Sequence, residues 1–444
     1  MPAASVPPAP QPPRPHAEQQ SRRPWHGRIL VLVGVLVVAL NLRVAIASVS
    51  PILDRVGRDL SLTEVQAGLL GTIPVASFAL FGSLTPALAR RFGLEPLLVA
   101  AMLLSAGGEV VRSTVATSSA FLGWSVIALA GMGMGNVLLP PLVKRYFPDR
   151  IGPVTAAYSV AMAFSAAVPP LLAVPAAERL GWRVSLAAWA VVGVVAVVPW
   201  LVVIGRSAAA RAALGEVLRR STTGTERLES RHRGTGRVWR SPLAWGLAIA
   251  FAMNSLNSYV VFAWLPSLMA DAGYDRAAAG SWLALVAIVG LVPALVAPPV
   301  GVRMRNPYVL VVVFVVLYVA GWAGMLLAPE HALPWSLGLG LGIGTFPLLL
   351  ALINLRTRTS AGASSLSGFT QGVGYALSGV GPVLVGVLYG ATGGWAAPSV
   401  VLAVSSAVLL VAGYVACRPM MLEDSWLPRE SPSARPASLD TLGP

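Results

Sequence analysis

The sequence predicts an all-α membrane protein of twelve transmembrane helices, arranged as two pseudo-symmetric halves of six. Three observations indicate this fold class. Of the 444 residues, 56% are hydrophobic and only 11% are charged, whereas soluble domains carry about 25% charged residues. Twelve apolar stretches follow one another, each close to the roughly 20 residues that cross a bilayer as a helix. Matching motifs also recur in the two halves of the chain.

Short connections that carry charges, Gly or Pro separate the apolar stretches. Prolines inside them, such as Pro140 and Pro169, are compatible with membrane helices because neighbouring helices and side chains satisfy the backbone groups that proline frees. The twelve stretches lie at 29–51, 64–89, 94–112, 120–142, 152–175, 184–205, 242–268, 279–301, 307–327, 334–354, 364–389 and 396–417.

Polar segments divide the chain into bundles and tails. Residues 1–27 are rich in Pro and Ala without apolar periodicity, which indicates disorder. The basic segment 206–241 is interpreted as a solvated connector, with a patch on anionic lipid as the alternative. We expect a disordered cytoplasmic N-tail (1–27), an N-terminal six-helix bundle (28–205), a cytoplasmic linker loop (206–241), a C-terminal six-helix bundle (242–417) and a cytoplasmic C-tail (418–444).

The formal net charge of +14 is interpreted as a signal of membrane orientation rather than of nucleic-acid binding. Most basic residues fall in the N-tail, in the loops that follow even-numbered stretches and in the central linker. Because cytoplasmic loops of membrane proteins are enriched in Lys and Arg, we expect both termini in the cytoplasm and a multi-pass protein of the plasma membrane.

The two halves carry related motifs. The Gly-x-Gly-x-Gly run at 131–135 matches 340–344, and Gly181-Trp182 matches Gly394-Trp395. Parallel repeats joined by a long central loop are typical of secondary transporters, whose site lies between the halves near the middle of the membrane. Neither glycine run opens a nucleotide-binding unit, so we expect close helix packing there.

Several chemistries have no support in the sequence. Cys417 is the single cysteine, the four histidines lie outside the apolar stretches, and no P-loop precedes Lys144, the single lysine. No arrangement of carboxylates or histidines suits catalysis within the membrane. We therefore expect no enzyme activity, no catalytic residue, no metal and no cofactor.

The connection after the second stretch, residues 82–91 (GSLTPALARR), resembles the loop signature of the major facilitator superfamily. Pro86 stands where that signature has Asp, and Ala89 stands where it has Gly. The resemblance implies that this loop gates the cytoplasmic side, with Arg90 and Arg91 as gating residues.

A run of motifs extends over almost the whole membrane part: Asn41-Leu42-Arg43, 135–140 with Lys144-Arg145, Trp264-Leu265-Pro266, 366–368, 371–375 and Gly381-Pro382. In this order and spacing the motifs resemble those of the cyanate and 2-nitroimidazole transporter family. The resemblance implies a major facilitator fold that moves a small polar or anionic solute by alternating access. We expect a monomer in the lipid bilayer. The alternatives are a receptor or sensor that retains the fold, an intramembrane transferase, and a drug-efflux member of the superfamily.

Arg43 is the strongest candidate for a substrate-binding residue. An Arg in the middle of a membrane helix costs about 2.5–3.5 kcal/mol on insertion scales, so it should face a cavity or a partner. Its planar fork suits a carboxylate or another small planar anion; the alternative is a structural Arg that binds helix carbonyls. Asn41 lies about 200° away around the helix, so we expect it to pack between helices.

Polar side chains at helical spacing extend the candidate site. In the seventh stretch Asn254 and Asn257 share one face while Ser255 and Tyr259 share another. In the eleventh, Gln371 and Tyr375 lie one turn apart, and the repeat places Tyr158 opposite Gln371. Each could instead join helices to one another. The predicted substrate-binding set is Arg43, Asn136, Tyr158, Asn254, Asn257, Gln371 and Tyr375.

Proton coupling requires a titratable group along the transport path. Glu109 in the third stretch is the candidate, with protons as the coupling ion. The alternative is a local ion pair with Arg112, which lies three residues further along the same helix.

Overall fold

A computed structural model describes residues 28–206 and 238–426. The predicted N-tail, most of the 206–241 linker and residues 427–444 lie outside these described residues. Within them all regular secondary structure is helical, and eleven segments are long and apolar enough to cross a membrane.

One of these segments, Ile151–Arg206, has 56 residues and contains two crossings. A single crossing takes about 20 residues. The helix is interrupted at Gly181, where φ is 82° and ψ is 155°, a conformation that glycine adopts at little steric cost. The predicted total of twelve transmembrane helices is thus confirmed, and we label them α1 to α12 in chain order.

The first half contains α1 to α6. Its first helix is not continuous, because the chain leaves helical geometry after Asn41 and resumes in shorter pieces. The bounds are α1 within Ile29–Ile52 (with helical pieces Ile29–Asn41, Val44–Ala47 and Ser50–Ile52), α2 Glu64–Phe92, α3 Leu94–Thr114, α4 Ser118–Tyr146, and α5 and α6 at 151–180 and 182–206.

The second half contains α7 to α12, and three of its helices are divided by short breaks. The bounds are α7 Pro242–Asp271, α8 Arg276–Val289 with Leu291–Arg303, α9 Tyr308–Leu327, α10 Ala332–Gly342 with Thr345–Leu355, α11 Ser360–Ser378 with Val380–Thr392, and α12 Ala396–Cys417. The halves meet where α2 packs on α11 and α5 packs on α8.

The internal repeat is visible in the backbone and in side-chain contacts on one face of the molecule. After α1 and after α7 the chain turns through a residue with positive φ, which is Ser61 (50°) in one half and Gly273 (95°) in the other. The turn is fixed by an indole that donates to a carboxylate: Trp182 to Asp59 over 3.1 Å, and Trp395 to Asp271 over 2.8 Å. The two halves thus close this face in the same way. We call it the opposite face, and the side on which α1 begins and α12 ends the terminal face.

The glycine runs pack helices closely, as the sequence indicates. A Cβ on Gly131 would lie 2.6 Å from the Ser105 backbone nitrogen, so α3 and α4 touch through their backbones. We expect Gly131→Ala to lower the free energy of unfolding by about 1–3 kcal/mol through overpacking. Gly123→Ala is the matched control, because nothing lies within 4 Å of its Cβ on the same helix. Thermal unfolding in detergent measures both variants, and equal midpoints would contradict the close approach.

Candidate functional site

The candidate site is built around the interruption in α1. The first piece of the helix ends at Asn41, and Arg43 has φ −124° and ψ −8°, outside helical geometry. The carbonyl of Arg43 accepts hydrogen bonds from the backbone nitrogens of Ile46 and Ala47, at 3.2 Å and 3.0 Å. The helix therefore restarts directly after the only arginine of this apolar segment.

The guanidinium of Arg43 reaches across to the second half of the protein. Its Nη2 donates to the Tyr375 hydroxyl over 3.2 Å, and the Tyr259 hydroxyl is a further neighbour. Its central carbon lies 5.4 Å from the centre of the Phe78 ring. No carboxylate pairs with Arg43 in the ranges 28–206 and 238–426. The site thus presents a cation that is surrounded by aromatic groups and lacks a counter-charge from the described chain.

Aromatic rings form the walls around this cation. Tyr375 lies between Phe78 of α2, with ring centres 5.3 Å apart, and Phe251 of α7, with ring centres 5.1 Å apart. Phe251 also contacts Phe346 of α10 at 5.4 Å. The walls are therefore flat and apolar, and they come from both halves of the protein.

The exposure of side chains differs between the two sides of Arg43. Arg43 and Tyr259 are half-buried, and one turn beyond Arg43 on that side Ala47 is half-buried as well. One turn beyond Tyr259, Phe262 is 43% exposed. Toward the terminal face, in contrast, Leu42 is completely buried. The side chains that flank Arg43 are thus more exposed toward the opposite face than toward the terminal face.

Hydrogen bonds between the halves seal the path toward the terminal face. Gln371 of α11 donates to the backbone carbonyl of Asn136 over 3.2 Å and to the Ser367 hydroxyl over 2.9 Å. Ser367 in turn donates to the carbonyl of Val137 over 2.9 Å. Asn136 and Gln371, both predicted to bind substrate, thus lie in this seal one turn below Tyr375.

Closer to the terminal face, Lys144 joins the halves a second time. Its ammonium donates to the backbone carbonyl of Asn354 over 2.7 Å and also to that of Thr357. Arg90 and Arg91, predicted as gating residues, lie exposed at the end of α2, where Arg91 stacks on Phe92. The contact between the halves on this side is made by Lys144.

Asn254 and Asn257, both predicted to bind substrate, lie on a face of α7 that points into the second half of the protein. Asn257 accepts a hydrogen bond from Ser405 over 2.5 Å and donates to Ser406 over 3.2 Å, both in α12. Asn254 lies on the same face and, with Asn257, lines a small closed gap inside the second half. The Asn257 amide is thus bonded within its own bundle, while the Asn254 side-chain nitrogen is buried without a hydrogen-bond partner among the described residues. It is the other face of α7, with Tyr259, that contacts Arg43.

Three contributors to the site were missed by sequence reasoning, namely Phe78, Phe251 and Tyr259. Phenylalanines within apolar stretches carry no signal that separates a site wall from ordinary core. Tyr259 did carry one, since it lies on the second polar face of α7. Tyr158, which was predicted to line the site, is buried in the large apolar core to which both halves contribute, with Thr155 beside its hydroxyl.

A buried polar group lies behind α1. Glu109 of α3 is completely buried, and the charge of Arg112 acts on it from one turn away. Arg112 donates to the backbone carbonyl of Ala45 over 3.1 Å. Asn41 donates to Ser105 over 3.0 Å, which is the interhelical packing expected for it. Arg112 thus holds the short helical piece that follows Arg43.

Comparisons with known proteins agree with this architecture. Residues 31–379 match the family model described as Major Facilitator Superfamily. The chain is 35% identical over 393 residues to the 2-nitroimidazole transporter of Escherichia coli (strain K12), covering 88% of this chain and 96% of that protein. It is 28% identical to the cyanate transport protein CynX of the same organism, covering 83% and 90%. The solved structure of the proton:xylose symporter XylE superposes with a TM-score of 0.66 at 14% identity, covering 87% of this chain and 94% of that one.

Proposed function

The chain belongs to the Major Facilitator Superfamily and is a multi-pass membrane transporter rather than an enzyme, and we propose that it carries a small planar solute with an anionic or electron-rich end. Nitroimidazole-like and cyanate-like compounds fit this description. The observation that carries the proposal is Arg43, a half-buried cation at the break in α1 with no carboxylate partner in the described chain. Placing a charge of this kind in a membrane costs free energy unless a ligand or water binds to it.

The chemistry of the guanidinium narrows the solute class. Its fork of N–H groups pairs with two coplanar acceptor atoms, such as those of a nitro or carboxylate group. One of its nitrogens donates to Tyr375 and the Tyr259 hydroxyl is a second neighbour, so a ligand would bind the donors that these two tyrosines leave. Arg43 would thus bind the acceptor end of the solute.

The aromatic walls suit the rest of such a molecule. Rings stack favourably with centres about 4.5–7 Å apart, and Phe78, Phe251 and Tyr375 offer several flat faces beside the cation. The relatives named for 2-nitroimidazole and cyanate transport support the same class, since both compounds are small and flat and carry electronegative acceptor atoms.

Alternating access accounts for the asymmetry of the two faces. The inter-half hydrogen bonds of Gln371 and Lys144 lie on the terminal side of Arg43, and the more exposed side chains lie on its opposite side. Release on the terminal side would require these inter-half hydrogen bonds to break. The experiment that tests the function is uptake of labelled 2-nitroimidazole and cyanate by vesicles that contain the purified protein; absence of uptake for both would contradict the proposed solute class.

We further propose that the protein works as a monomer in the plasma membrane with its terminal face in the cytoplasm. One chain supplies both halves of the site, and the basic residues concentrate on the terminal side. Two cysteine variants in a Cys417→Ser background test this orientation: Ala272→Cys on the opposite face and Arg305→Cys on the terminal face, both at exposed positions. An impermeant thiol reagent added to intact cells should label Ala272→Cys and should not label Arg305→Cys. The reverse pattern would overturn the orientation.

Protons are the coupling ion that we propose, with Glu109 as the residue that binds them. Its carboxylate is buried, and Arg112 is the charged group that acts on it. Because Arg112 also holds the Ala45 carbonyl, a proton on Glu109 would change the forces on the helical piece next to Arg43. XylE, which shares the fold, is itself a proton symporter by name.

A further inference from the structure

The beginning of the C-terminal tail folds back onto the terminal face. Residues Leu422–Trp426 form a 3₁₀ turn, in which Leu422 is completely buried. The backbone nitrogen of Leu422 donates to the carbonyl of Arg356 over 2.8 Å, in the connection between α10 and α11. Arg356 donates in turn to the carbonyl of Cys417 over 2.5 Å, at the end of α12. The tail is thereby tied to the connection at 356–359.

Glu423 makes the central contact of this segment. Its Oε1 accepts hydrogen bonds from the backbone nitrogens of Arg358 and Thr359, at 2.9 Å and 3.0 Å, and from the Thr359 hydroxyl at 3.1 Å. Thr359 is the N-cap of α11 and accepts from the nitrogen of Gly362 over 2.9 Å. A carboxylate is favourable here, because the first turn of a helix presents unpaired N–H groups and a partial positive charge.

The same connection receives Lys144 from the first half of the protein. Lys144 donates to Asn354 and Thr357, immediately before the residues that Glu423 binds. The negative charge of Glu423 acts favourably on the ammonium. Its second oxygen, Oε2, is buried and accepts no hydrogen bond from the described residues. The connection between α10 and α11 is thus held by Lys144 on one side and by the tail on the other.

We propose that Glu423 is a positioning residue of the gate on the terminal face. Glu423 holds the connection between α10 and α11 in the conformation in which the carbonyls of Asn354 and Thr357 accept hydrogen bonds from Lys144. Its negative charge also stabilises the ammonium of Lys144 at that position. The tail therefore favours the state that is closed on the terminal face. The inference rests on the alternating-access cycle proposed above, in which Lys144 must leave these carbonyls for the gate to open.

The amine of Lys144 offers a direct test, because it is the single lysine of the chain. In the closed state this amine is hydrogen-bonded to the carbonyls of Asn354 and Thr357. Its modification by an amine-reactive reagent should therefore require the gate to open. We expect Glu423→Ala to raise the modification rate about two- to fivefold, the range that follows from the usual strength of a charge at a helix N-terminus. Peptide mapping separates Lys144 from the amino terminus.

Two further variants make the test decisive. Asp424→Asn is the matched control. It removes an exposed ion pair with Arg358 and keeps an amide oxygen that can accept from the Met421 nitrogen, as Asp424 does over 3.2 Å. Exposed ion pairs contribute little, so its rate should equal the wild type. Gly362→Ala disrupts the same contact of Glu423 from the α11 side, because the added Cβ would collide with the Glu423 carboxylate. It should raise the modification rate of Lys144 even if Glu423→Ala folds poorly.

A wild-type modification rate in both Glu423→Ala and Gly362→Ala, or an equal rise in Asp424→Asn, would overturn the proposal. The readout uses no solute, so it is independent of whether the proposed substrates are correct.

Discussion

Arg43→Gln is expected to abolish uptake while leaving the amount of folded protein near normal. The neutral amide loses the two charge-assisted hydrogen bonds that the guanidinium would give to a planar acceptor group. At about 1.5–3 kcal/mol for each bond, the loss is on the order of 100-fold or more in affinity. Folding should be spared, because Arg43 has no carboxylate partner in the described chain and its removal relieves an insertion cost. Uptake of labelled 2-nitroimidazole per folded molecule measures the effect.

Arg43→Lys separates charge from geometry at the same position. The ammonium keeps the positive charge and lacks the planar fork, so we expect a loss of about tenfold. Arg55→Gln is the matched control, since Arg55 makes an exposed ion pair with Glu178 over 3.0 Å on the opposite face; its uptake should match the wild type. Full uptake by Arg43→Gln would exclude a binding role, and a lowered thermal midpoint with proportional loss of uptake would indicate a structural Arg.

Arg43 could be identified from the sequence because a permanent charge in an apolar helix has a high insertion cost and therefore needs a cavity or a binding partner. Tyr375 could be identified as well, since a tyrosine and a glutamine one turn apart in an apolar helix form a polar stripe. The twelve helices and the two halves followed from hydropathy and repeated motifs, which depend on local sequence alone.

The orientation of α7 could not be predicted in the same way. Both of its polar faces satisfy helical periodicity, and the sequence does not show which one finds partners inside its own bundle. Ser405 and Ser406, about 150 residues away, decide the matter by binding Asn257, and Tyr259 is left to face Arg43. Such long-range competition for hydrogen bonds is absent from any local pattern.

The role of the C-tail was equally hidden. Residues after 417 are polar and lack periodicity, which is typical of a solvated tail, yet Leu422 is buried and Glu423 caps α11. A helix N-terminus near the chain end is a partner that only the folded structure brings within reach. The interruption of α1 at Arg43 is likewise a tertiary feature, since the sequence there contains neither Gly nor Pro.

Glu109→Gln is expected to uncouple solute uptake from the proton gradient. If one proton accompanies each solute, a gradient of one pH unit supplies about 1.4 kcal/mol, or about tenfold accumulation at zero membrane potential. The amide cannot bind that proton, so accumulation driven by the pH gradient should fall to a ratio of about one, while exchange of labelled for unlabelled solute continues. Vesicles with an imposed pH gradient measure both quantities.

Glu95→Gln serves as the control for this experiment. Glu95 is a second buried carboxylate of α3, but Arg145 and Tyr146 bind it near the terminal face, at 3.0 Å and 2.7 Å, away from the Ala45 carbonyl. Its loss should lower stability without removing the pH-driven accumulation. Persistent accumulation in Glu109→Gln, together with a lower thermal midpoint from the unpaired Arg112, would show that Glu109 serves only to neutralise Arg112. Loss of accumulation in Glu109→Gln alone would instead place the coupling proton directly behind the helical piece that presents Arg43.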